Sequence, residues 1–67
     1  MIGKKVKINN NQPLRLNGPK CPGRIGIVLR KNEFQHDKGG LWYIKLEPTK
    51  KKKSRVDLFF GDELTII

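Results

Sequence analysis

Residues 23–29 read Gly-Arg-Ile-Gly-Ile-Val-Leu, two glycines three positions apart followed by a run of aliphatic side chains. Branched residues suit a pleated strand, and glycine inside such a run marks a sharp bend or the close approach of another strand. The stretch reads as one strand, Arg24 to Leu29, of a very small and strongly curved sheet. Ile25, Ile27 and Leu29 alternate on one face, expected to be the core face, while Arg24, Gly26, Val28 and Arg30 share the other. A bend at Gly26 is expected to turn parts of both faces inward and carry Val28 into the core. Nothing in the stretch acts as acid, base, nucleophile or metal ligand.

On the N-terminal side, Val6 and Ile8 alternate with Lys5 and Lys7, which predicts a first strand ending at Ile8. Between them and Gly23 lies Asn9 to Pro22, with Pro13, Asn17-Gly18-Pro19 and Cys21-Pro22. That density of turn formers excludes a helix or a regular ladder and predicts a long loop, pinned to the core through Leu14 or Leu16. On the C-terminal side, polar residues from Lys31 to Gly40 predict a hairpin connection with ragged strand extensions around Phe34. Trp42, Ile44 and Leu46 then alternate with Tyr43 and Lys45 as a third strand that Glu47-Pro48 stops. Lys50 to Lys53 with Arg55 form a loop, because adjacent like charges prefer solvent to an ordered ladder. Val56 to Phe60 is strand four, Gly61 a turn, and Leu64 to Ile67 a short closing strand.

Five short strands and no helical period longer than one turn predict an all-β chain. With 67 residues it is expected to be one domain spanning 1–67, too short for a large internal cavity. That size favours a small five-stranded barrel over a sandwich. Trp42, Phe59 and Phe60 are expected in its core.

Fifteen Lys and Arg against six Asp and Glu give a net charge of +9. All fifteen basic residues but only three acidic ones fall in the first 55 positions, an excess of twelve positive charges there. A field of this strength attracts polyanions: nucleic acid first, but also acidic proteins and anionic surfaces. A single cysteine, Cys21, permits no internal disulfide, and no signal peptide or membrane span is read in the chain, so a cytoplasmic protein is expected. Cys21, His36 and Asp37 fall short of a catalytic constellation or a four-ligand zinc site, so neither an enzyme nor a metal or cofactor is expected.

The order of these pieces resembles the small-barrel group related to SH3 domains, and within it the KOW-type domains of ribosomal and transcription proteins. Ile2–Ile8 (IGKKVKI) is similar to that family's first strand, Gly23–Val28 (GRIGIV) to its glycine-rich second, Trp42–Leu46 (WYIKL) to its third and Phe59–Ile67 (FFGDELTII) to its final turn and strand. The layout is also similar to photosystem I subunit IV and the variable chain of ferredoxin-thioredoxin reductase, where the barrel docks proteins. The loop before Gly23 is longer and richer in proline than the KOW pattern. The resemblance implies a barrel that binds either nucleic acid or a protein partner.

Flexible ammonium groups on a loop neutralise phosphates without reading sequence. The expected interface is therefore Lys50, Lys51, Lys52, Lys53 and Arg55, extended by Arg24, Arg30 and Lys45 on the strands, with Tyr43 as an outward aromatic able to stack on a base. DNA or RNA, held by the phosphate backbone with weak sequence preference, is the expected partner. The alternative is a docking or inhibitor module whose basic face meets an acidic protein.

Overall fold

The computed structural model of the chain describes residues 1–13, 15–33 and 39–67. Leu14, Phe34, His36 and Asp37 lie outside the described residues, so the readings that fall on them have no structural counterpart below. Five strands form one antiparallel sheet: β1 Lys5–Ile8, β2 Ile25–Lys31, β3 Leu41–Leu46, β4 Arg55–Phe60 and β5 Leu64–Ile66, with a 3-10 turn Gly61–Glu63 leading into β5. Their order across the sheet is β4-β3-β2-β1-β5.

Alternation sends Val6 and Ile8 of β1, Val28 of β2, Ile44 and Leu46 of β3 and Phe59 of β4 to one side, where all six are buried. They form one cluster, with Cys21, Trp42 and Leu64 packed at its margin. Gly26 belongs to this inner face, opposite Val6 on one neighbour and Leu46 on the other. A methyl group there would lie 2.6 Å from Ile44 Cγ2 and 2.8 Å from the Lys45 carbonyl oxygen, so the neighbouring β3 leaves no room for a side chain at the glycine.

The register of β2 against β3 shifts after Val28. Val28 faces Ile44 and Arg30 faces Tyr43, which leaves Leu29 as an extra residue, 41% exposed. The register shift lies at Leu29. One expectation is corrected: Ile25, Ile27 and Leu29 are not the core face, because the register with Val6 and Leu46 turns Gly26 inward, and the first two are half-buried on the outer side. Val28 is buried as expected. Strand four also begins one residue earlier than its pattern suggested and takes in Arg55.

Among the described residues, β4 and β5 do not pair, so the sheet is not closed into a barrel by hydrogen bonds. Side chains of the loop between β1 and β2 span the gap instead. Arg15 makes two hydrogen bonds to the Glu63 carboxylate, 2.6 and 2.8 Å, beside β5, and its guanidinium lies over the Phe59 and Phe60 rings. Lys20 donates to Asp57 of β4 at 2.5 Å and lies 5.0 Å from the Phe59 ring centre. The buried Gln12 amide fixes the loop on itself, donating to the Asn9 and Lys20 carbonyls and accepting from the Lys20 N–H. Leu16, expected as an anchor, is 96% exposed. Polar groups hold this loop, which we term the strap, in place.

Candidate functional site

The β3–β4 connection is a tight turn built on Thr49. Its hydroxyl accepts from the Lys51 and Lys52 N–H groups, and its own N–H donates to the Lys52 carbonyl. This turn chemistry satisfies the backbone locally and leaves the side chains of Lys50, Lys51, Lys52 and Lys53 in solvent. Ser54 closes the connection with a hydrogen bond to the Leu46 carbonyl.

Beside the turn lie two adjoining depressions of about 360 and 540 Å³ that share Cys21, Arg24 and Lys52. Lys53 and Arg55 complete one, Lys50 and Lys51 the other, and no carboxylate lines either. Among the described residues, none of the four lysines has an acidic partner. The structure thus gathers six of the nine expected site residues, Arg24, Lys50 to Lys53 and Arg55, at one end of the sheet.

Two of these six are held. Arg24, expected on the outward face, shares the parity of Gly26 and Val28 and is half-buried. It donates to the Glu47 carbonyl at 2.6 Å, while its buried Nε has no acceptor among the described residues. Arg55 reaches the Asp57 carboxylate at 3.0 Å and the Cys21 sulfur at 3.1 Å. Burial by itself would raise the Asp57 carboxyl, but the Lys20 ammonium, the Leu58 N–H and Arg55 together hold it below its ordinary value. Cys21 sits half-buried, in the left-handed region at φ 47°, between this guanidinium and the core margin.

The other three residues lie on the outer face. Lys45 is exposed in one cross-strand row with Lys5, Ile27 and Val56. Arg30, carried there by the bulge, lies 4.0 Å from the centre of the Tyr43 ring, and the Tyr43 hydroxyl accepts from the Asn32 amide. Lys5 meets Glu47 at 3.7 Å in an exposed pair of the kind worth little. Sequence reasoning missed the roles of Arg15 and Lys20, whose partners are 48 and 37 positions away. It also missed that Thr49 organises the lysine turn, although a threonine before a polar run is a recognisable turn signal.

Among the described residues there is no grouping of three or more His, Cys, Asp or Glu side chains able to hold a metal ion, and no helix long and apolar enough to cross a membrane. No model of a known protein family, no curated protein and no solved structure matches the chain.

Proposed function

We propose that the chain is a non-catalytic, SH3-like small barrel of the KOW type that binds nucleic acid through the phosphate backbone with little sequence preference. The observation that carries this reading is the convergence of Arg24, Lys50, Lys51, Lys52, Lys53 and Arg55 on depressions that no carboxylate lines. The four turn lysines, which have no acidic partner among the described residues, bring condensed-ion release to a polyanion at little cost in broken pairs, while Arg55 also serves Asp57. Arg30 and Lys45 extend the positive surface over the outer face. The strand order, and the 3-10 turn before the last strand, support the fold assignment.

A second reading has its own support. The outer face mixes Lys5, Lys7 and Lys45 with half-buried Ile25 and Ile27 and exposed Val56, a composition that suits docking to an acidic protein. A fluorescence-anisotropy titration of short DNA and RNA against salt separates the two. The nucleic-acid reading expects affinity to fall linearly in log-log form with salt. No measurable binding near physiological salt overturns it in favour of docking.

A further inference from the structure

An aromatic side chain binds an unpaired base only if one ring face is free and reachable. Each of the four aromatic rings among the described residues already contacts a protein group, Phe34 lying outside those residues. Tyr43 has Arg30 over it at 4.0 Å and its hydroxyl engaged by Asn32. Trp42 is half-buried, its Nε1–H donates to the Gly39 carbonyl at 2.8 Å, and the Lys31 ammonium lies 5.6 Å from its ring centre. Phe59 is buried, and Arg15 covers both Phe59 and Phe60. Among the described residues no aromatic side chain lines the cationic depressions.

The cations, by contrast, are spread widely. The Thr49 turn displays four at one end of the sheet. Lys5 and Lys45 stand on the outer face in one row, separated by Ile27 of the intervening strand and hence about 10 Å apart at two strand spacings. Charge distributed over two surfaces suits a dense, thick polyanion better than a thin strand threaded over stacking platforms. Duplex DNA carries one charge per about 1.7 Å of axis.

Resting on the reading above, we infer that the polyanion is a duplex held by its phosphates, and not a single strand held by stacked bases. Arg30 is then a phosphate ligand for which the Tyr43 ring is the support.

The test compares a short mixed-sequence DNA duplex with either of its separated strands, by anisotropy across a salt series, for the wild-type chain and Tyr43→Leu. The duplex is expected to bind more tightly than the strand at every salt concentration. Tyr43→Leu is expected to change strand affinity by less than about fivefold, because loss of a stacked base costs roughly fivefold to a hundredfold. Emission from Trp42, the single tryptophan, is expected to stay unquenched by the strand. Equal or tighter binding of the strand overturns the inference, as does Trp42 quenching by the strand. A loss of fivefold or more in Tyr43→Leu, in a variant that melts like the wild type, does the same. Failure of both probes to bind is a different result: it removes the nucleic-acid reading itself.

Discussion

At Gly26 a side chain is excluded by contact and not by backbone angle. The inner face brings Ile44 and the Lys45 carbonyl within 3 Å of where a Cβ would stand, and both belong to a neighbouring strand paired through the same register. Gly26→Val must push β3 away or distort β2, and overpacking of this kind costs about 1–3 kcal/mol. At roughly 4–8 °C per kcal/mol for a domain of this size, thermal melting by circular dichroism should show a Tm lower by at least several degrees. A wild-type Tm would mean that the close approach does not exist. The sequence pattern pointed to a special role for Gly26 and to burial of Val28, but assigned the faces of β2 wrongly. Isoleucines attract a core assignment on hydrophobicity alone. What places Gly26 inward is the register with Val6 and Leu46, which no local pattern encodes. Arg30 is exposed because the bulge at Leu29 resets the alternation, so that expectation was met for a different reason.

Among the elements, the strands were legible and the strap was not. β1 and β5 carry their apolar residues at every second position, and β3 does so for Trp42, Ile44 and Leu46 after an added Leu41. The strap is built from polar side chains whose partners are distant in the chain, and charge pairing at such range has no sequence period. Its two acidic anchors can be tested separately. Glu63 is buried, accepts both arms of Arg15 and also accepts the Phe60 N–H at 2.9 Å. Glu63→Ala should lower stability on the order of 3 kcal/mol, the scale for breaking a buried pair, as read from urea denaturation. A decrease of under about half a kcal/mol, the size of an ordinary surface substitution, would show that the strap is not held there. Asp57 gives a pH dependence. Its pKa is lowered in the folded state, so its contribution is present above the unfolded value near 3.9 and disappears as pH falls through the folded value. Asp57→Asn should therefore reduce stability at neutral pH and flatten the acid-induced decline below about pH 4. An acid limb as steep as that of the wild type would remove Asp57 from the clamp.

Over the whole molecule, open edges and uneven charge are linked through the strap. Among the described residues the outer edges of β4 and β5 are unpaired, and Asp57 of β4 and Glu63 beside β5 are held by Lys20 and Arg15. Each of these pairs removes one positive and one negative charge, so the net +9 is carried by the thirteen other basic residues against the four other acidic ones. The composition made that excess visible, but not its arrangement, because the grouping of Arg24 with the lysine turn depends on β2 lying beside β3. Replacing Lys50, Lys51, Lys52 and Lys53 together with alanine should leave the Tm close to the wild-type value, since all four side chains are exposed and the Thr49 turn uses only backbone groups of Lys51 and Lys52. Binding to a DNA duplex should weaken, and the log-log salt slope should become shallower by up to about 3–4, at roughly 0.9 for each phosphate that the variant no longer neutralises. A slope unchanged in a variant that still binds would take the turn out of the interface. The phosphates would then have to be held by Lys5, Lys7, Arg30 and Lys45 on the outer face.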